Sequence, residues 1–405
     1  MELALSESMT QDTTPEPRQA DLAPAPVDQA TPDPTPLMER LGLRYMASIS
    51  TTMVVPDVAD DTIHLLNEAE RAAMAGIVRH GIGLSALIGA LSGLATAIVE
   101  ILTHADFIAP ERLPAPPIVW IAVATVVATV VEIALIYRVC LRSVNALAQS
   151  AGLVVVAQQE EILRSLVRAA LELPNSATPA FGINPRREIS QAWLIAVGLI
   201  YKAKVSLTNF IFKALVRRML ARVGLRVLEA LVAVPVVAIW DGAVCWKVLR
   251  EARIRVLGPS AAQALTEMIL PAGRALSPAG IEAVFAALAA AIMSQAELHP
   301  NLLAMVRELV GRFGEPPSSA VSNSKALMEA LPTLPDDERA IALQFLCAAA
   351  ALDGRLSWGE RKLTRSAFEA AGMRWPIHSL KILTARLSNG EAVEPGDIEA
   401  LIQAR

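Results

Sequence analysis

From Gly81 to Val99 the chain runs for 19 residues without a charge, and its apolar positions leave no polar face at helical spacing. Glu100 interrupts the run, and Ile101 and Leu102 extend it. A second apolar run, Ile118 to Tyr137, is broken only by Glu132. At about 1.5 Å per residue, each is long enough to cross a hydrocarbon core of about 30 Å. The intervening HADFIAPERLPAPP is a short proline-rich connection. The pattern predicts two transmembrane helices, about 81–103 and 118–137, joined as a hairpin. The alternative is a pair of buried helices in a large soluble core, which would ordinarily show a polar stripe.

Within the first span a small residue recurs at every fourth position: Gly81, Ser85, Gly89, Gly93 and Ala97. Such a stripe lets two backbones approach closely. It predicts a helix-packing face, directed either at the second span or at a second copy in a homo-oligomer. Arg71 and Arg79 precede the first span, Arg138 and Arg142 follow the second, and the connection holds only Arg112 beside Glu111. The positive-inside rule places both ends of the hairpin in the cytoplasm. Glu132 should face protein or water rather than lipid, with Arg79 or Lys202 as possible partners.

Residues 143–173 read as an amphipathic helix in which Glu160 and Glu161 meet Arg164. The stretch from Arg186 to Arg226 carries nine Lys or Arg residues and one acid, Glu188. Lys202, Lys213 and Arg217 line one side, with Arg218, Arg222 and Arg226 on an adjoining stripe. A basic helix beside a membrane segment can lie among anionic headgroups, so these six cations are expected at the lipid surface. A solvated face that only enforces topology is the alternative. Two further apolar runs, Ala192–Tyr201 and Ala230–Val248, are expected to be membrane-proximal or buried. If both crossed, the basic stretch from Lys213 to Arg226 would lie outside, against the positive-inside rule. Asp241 is expected to cap or to pair locally with Lys247.

Composition supports this division. Hydrophobic residues make up 54% of the 405, charged residues 19%, an aliphatic excess unusual for a soluble protein. Residues 1–36 hold seven acids, seven prolines and Arg18 as the lone base, which predicts a disordered acidic tail and no signal peptide. With a net charge of −4 and no stacking motif, nucleic acid is not an expected partner. Cys140, Cys245 and Cys347 are odd in number and far apart, so neither a disulfide framework nor a zinc knuckle organises the chain. The five histidines form no HExxH pair, and no Walker loop, dinucleotide fingerprint or GxSxG elbow occurs. The expectation is a non-enzyme without a cofactor.

After Leu257-Gly258-Pro259 the chain changes to amphipathic helices punctuated by proline and glycine. An Ala-rich helix stops at Asp353-Gly354, and Ser357 with Glu360 three residues on forms a capping box for the next. Numbered as an EF-hand loop, Gly354 takes position 6 and Glu360 position 12. Ala349 and Ala351, however, stand where calcium needs carboxylates, so the calcium site fails. An Ala-rich helix, DGxLSxxE, a second helix and a stop at Gly372 together resemble the tellurite-resistance TerB-like helical domain. The likeness is close over about 35 residues and extends in outline over 258–405. It implies an all-α interaction module in a stress- or metal-response complex. It also implies an acidic metal-binding surface, for which Asp353 and Glu360 are the matching acids; further acids expected beside them are missing. The N-terminal part resembles a bacterial membrane-protein family that brings no activity with it.

Residues 276–301 echo 334–359 at an offset of 58, as either a duplicated helical unit or coincidence between two Ala-rich helices. The expected organisation is all-α: a tail (1–36), a helix plus hairpin (37–142), a basic membrane-proximal region (143–257) and a cytoplasmic TerB-like domain (258–405). The expected setting is the bacterial inner membrane, with both termini cytoplasmic and a protein partner the sequence does not identify. A membrane pore or transporter subunit is the competing function, with Glu132 and Asp241 as polar lining.

Overall fold

The computed structural model describes residues 37–50, 66–104, 117–151, 160–173, 180–184, 226–295, 297–321 and 324–403. Among them the architecture is all-helical, the one strand-like feature being an isolated bridge between Ala180 and Ile183. The acidic tail and Lys202, Lys213, Arg217, Arg218 and Arg222 lie outside the described residues, as does the side chain of Arg226.

Among the described residues, four helices form the N-terminal part: α1 (Leu37–Ser50), α2 (Glu68–His104), α3 (Pro117–Ser150) and α4 (Glu160–Ala170). Two of them are long and apolar enough to cross a membrane, over Glu68–Leu102 and Val119–Ser150. Alpha-3 continues well past Arg142, so the boundary expected at 142 falls inside a helix. The helix expected over 143–173 is instead the end of α3 followed by α4. Arg164 reaches Glu39 of α1 (3.5 Å), as does Arg168 (3.2 Å), and this fully buried carboxylate ties α1 to α4.

Next comes α5, 44 residues from Arg226 to Ile269, continuous through Pro235 and Pro259. It spans the boundary expected at 257. Its central part packs with α1, α3 and α4 around Met46, Val144, Leu147, Leu166 and Leu249. Its C-terminal part enters a second core through Ala262, Leu265 and Ile269. That core is completed by α6 (Pro278–Met293), α7 (Pro300–Phe313), α8 (Lys325–Ala330), α9 (Asp336–Ala351), α10 (Trp358–Ala370), α11 (Ile377–Asn389) and α12 (Pro395–Glu399).

The offset of 58 reappears in the helix limits. Alpha-6 and α9 are each 16 residues long and begin 58 apart, and so do α7 and α10. Both long members are Ala-rich and buried beyond their first turn over most of their length, since small side chains let the two helices pack closely. Their partners start from equivalent caps: His299 accepts from the Asn301 amide, Ser357 from the Glu360 amide. A duplicated helix-turn-helix unit accounts for this register better than coincidence.

Candidate functional site

Two places combine buried polar groups with close helix contacts: the seam between α2 and α5, and the joint where α5 enters the C-terminal core.

At the seam, all five residues of the small-residue stripe are buried. The face they form is covered by α5, a partner the sequence did not identify. A Cβ on Gly81 would stand 2.8 Å from Leu249 Cδ1, and one on Gly93 would stand 3.3 Å from Val234 Cα. On Gly89 it would run into the Asp241 carboxylate and approach the Val237 carbonyl at 3.1 Å. Rising numbers on α2 thus meet falling numbers on α5, and the two helices run antiparallel. Alpha-3 lies on another side of α2: Gly81 faces Ser143 (3.0 Å), and Ser92 donates to Glu132.

Glu132 and Asp241 are 1% and 2% exposed, and both are directed at α2. Ser92 and Gly89, the residues they meet, are one turn apart. At about 1.5 Å per residue, Ser92 lies about 16 Å along α2 from Gly81. Of the partners expected for these acids, Lys202 lies outside the described residues, and Arg79 and Lys247 have other contacts. The Arg79 side chain turns back to the Ala75 carbonyl (3.4 Å), and Lys247 pairs with Glu172 (3.4 Å).

At the joint, α5 presents Arg250, Glu251, Arg253 and Ile254 to the C-terminal helices, while Arg255 donates to the Ser165 carbonyl of α4 (2.8 Å). Arg250 donates to the Gly354 carbonyl (2.9 Å) and Arg253 to the Ser388 carbonyl (2.6 Å). Asn301, buried at the start of α7, donates to the carbonyls of Ile254 (3.0 Å) and Leu352 (2.8 Å). Gly354 has φ +68°, and its missing Cβ would stand 2.5 Å from Ile254 Cδ1. The Asp353-Gly354 turn therefore needs glycine twice, for its left-handed backbone and for its closeness to α5.

Glu251 accepts from Arg255 (3.1 Å) and Arg355 (2.9 Å), and its Oε1 lies 3.4 Å from His299 Nε2. Burial opposes its ionisation, but the His299 hydrogen bond and the two guanidiniums outweigh this and hold the carboxyl far below its usual range. Burial pushes His299 down, against the pull of Glu251. Its Nδ1 accepts the Asn301 amide (3.3 Å), which leaves Nε2 as the protonated nitrogen that donates to Glu251.

The two acids matched to the TerB pattern lie on the next layer. Asp353 Oδ1 accepts the Arg355 amide (2.9 Å); burial, then the nearby Glu360, push its carboxyl up to about 8. Burial also raises Glu360. One Glu360 oxygen accepts the Ser357 amide (2.8 Å) and the other accepts Gln295 (2.8 Å). No cluster of three or more His, Cys, Asp or Glu suited to a metal occurs among the described residues. A divalent ion favours six to eight oxygens, so two carboxylates already committed to a turn and a helix cap do not fit one. The motif legible in the sequence builds the joint to α5. Gln295, equivalent to Asp353 in the repeat, was not foreseen as the Glu360 partner. The three comparisons with known proteins place the chain beside none of them: no family model, no curated protein and no solved structure matches it.

Proposed function

We propose that this is a bacterial inner-membrane protein held by α2 and α3 as a transmembrane hairpin. It presents its C-terminal helices to the cytoplasm as a TerB-like module that docks a protein partner. The observation that carries this is the outward surface of the two helices. Leu84, Leu87, Leu91 and Leu94 on α2, and Val123, Val127, Val130 and Leu135 on α3, are all exposed. Apolar surface on this scale is what a bilayer covers and water does not tolerate. Orientation follows from Arg71, Arg79, Arg138 and Arg142 at the end shared with the C-terminal core. The role is non-enzymatic, and the likeness of residues 340–373 to TerB favours a stress- or metal-response assembly in which recognition is by protein contact. Alkaline carbonate extraction of cell membranes tests the first part: the chain stays in the pellet, and release to the supernatant would refute it. Crosslinking of the full-length protein in membranes, followed by detergent purification, tests the second; a discrete partner is expected, and capture of the chain by itself would refute it.

A pore or transporter subunit is favoured by one observation, the burial of Glu132 and Asp241 on α2 within the span. Ion flux into reconstituted vesicles that disappears in Glu132→Gln would establish that reading, and flux-silent vesicles would exclude it.

A further inference from the structure

We propose that the N-terminal half of α5, from Arg226 to Trp246, is a third membrane-embedded helix whose outward face meets lipid acyl chains. The inference rests on the reading of α2 and α3 as membrane spans.

The first ground is register. Gly81, Gly89 and Gly93 hold α5 against α2 without intervening side chains, from Leu249 through Asp241 and Val237 to Val234. From the other side, a Cβ on Gly242 would stand 3.4 Å from Ile82 Cγ2 and 3.6 Å from Ala86 Cβ. Helices packed this tightly along a shared seam occupy the same depth. If residues 84–93 of α2 lie in the bilayer, so do residues 234–246 of α5, with Gly81 and Leu249 level at its edge.

The second ground is the polarity of the exposed face. Between Val234 and Trp246 the exposed positions of α5 are Pro235, Ile239, Ala243 and Trp246, all apolar. Ile239 is 72% exposed and Trp246 51%. The next exposed residue is Lys247, and beyond it α5 carries Arg250 and Arg253. Alpha-2 changes at the same level, because Arg79 and His80 are its last exposed charged or polar residues before Leu84. By the register that Gly81–Ser143 and Ser92–Glu132 fix, Arg142 of α3 is level with Ile82. Arg138 lies one turn deeper, within snorkelling reach, and stacks on Tyr45 of α1 at 5.6 Å. Three helices thus exchange apolar for cationic surface near one plane, as a headgroup boundary requires.

The third ground is length. From Arg226 to Trp246 a helix rises about 30 Å at 1.5 Å per residue, the thickness of a hydrocarbon core. Asp241 is the one charged residue in that stretch between Arg226 and Lys247 apart from Glu229, and it is turned inward to Gly89 rather than to lipid. Cations stand at both ends of the stretch, Lys213, Arg217, Arg218, Arg222 and Arg226 before it and Lys247, Arg250, Arg253 and Arg255 after it. Flanking charge, the ground for keeping this run out of the membrane, therefore does not choose its direction. Antiparallel packing on α2 does. The Ala230–Val248 run, expected to be membrane-proximal or buried, then belongs to the membrane domain. The same helix continues into the C-terminal core at Ile269, making one rod from bilayer to module.

Spin labels at Ile239→Cys on α5, Leu91→Cys on α2 and Val127→Cys on α3 test this in the full-length protein reconstituted into phosphatidylcholine–phosphatidylglycerol vesicles. The three native cysteines are buried, so wild type treated with the label serves as blank. Trp358→Cys, at the start of α10 and 78% exposed, is the aqueous reference. Relaxation by oxygen reports lipid, and relaxation by a water-soluble nickel chelate reports water. The expected result is an oxygen-to-nickel ratio at 239 that matches those at 91 and 127 and exceeds the reference several-fold. Lipid values at 91 and 127 with an aqueous value at 239 would overturn the third helix and leave the hairpin standing. Aqueous values at all three would overturn both.

Discussion

Replacing Asp353 by Asn should stabilise the joint between α5 and the C-terminal helices, and should do so increasingly as pH rises. Asn keeps the Oδ1 that accepts the Arg355 amide (2.9 Å), so the turn survives and only the charge is removed. Burial and the neighbouring Glu360 raise the folded-state pKa of Asp353 from 3.8 to about 8; Arg355 and Glu251, which also face it, pull in opposite directions. An acid raised on folding contributes fully below its unfolded value, and that contribution is lost as pH climbs through the folded value. Wild type therefore loses stability at this site between about pH 4 and pH 8. Fully expressed, the shift would be worth about 6 kcal/mol at about 1.36 kcal/mol per unit, and the solvent that reaches a half-buried carboxyl leaves about 2–3 kcal/mol.

The assay is the thermal or denaturant midpoint of the full-length protein in detergent across this range, read as the difference between variant and wild type. Glu251 and His299 titrate in both proteins and largely cancel in that difference. The variant should match wild type near pH 4 and gain steadily to a plateau above pH 8. A difference that stays flat with pH, or a variant weaker than wild type at pH 8, would refute the account of Asp353 as a carboxyl held neutral by its surroundings.

Other positions yield equally direct tests. Gly89→Val should drive a side chain into Asp241 and the Val237 backbone, costing about 1–3 kcal/mol by overpacking and lowering the midpoint in detergent. Gly354→Ala should cost more than Gly372→Ala: both have φ +68°, worth about 1–2 kcal/mol for a Cβ, but only Gly354 also presses on Ile254. Equal losses in denaturation would show that closeness to α5 is immaterial. Asn301→Ala should remove the donors to two buried carbonyls, cost about 1–3 kcal/mol, and speed amide exchange at the α5–α7 contact. Calcium titrated calorimetrically into the detergent-solubilised protein should give no binding heat, and the Asp353-Gly354 loop should melt at the same temperature with or without the ion.

What the sequence made legible and what it concealed divide along a physical line. Apolar length and small-residue spacing are local, and the two long helices, the buried stripe and the Ser357–Glu360 cap were all readable from them. The partner of the stripe was not, because it lies about 150 residues further on, in a helix that local rules would cut. Pro235, Asp241 and Lys247 each argue against a membrane helix when α5 is considered by itself. Each objection weakens in context: Pro235 is exposed on the outer face, Asp241 is sheltered over Gly89, and Lys247 pairs with Glu172. The same blindness affected the Asp-Gly motif. Its spacing suggested cation ligands because glycine at such a turn is shared by metal loops and by any backbone that must pass close to a neighbour. Only the position of Ile254, 100 residues earlier in the chain, separates the two uses. The exposed face of α5 is apolar between Val234 and Trp246, whereas its middle turns half-buried and buried arginines to the helices around it. The hydrogen bonds of Arg250, Asn301 and Arg253 tie the middle of α5 to Gly354, Leu352 and Ser388. The DGxLSxxE turn is then a point at which α5 holds the C-terminal helices, a use of the motif that only the three-dimensional contact to Ile254 reveals.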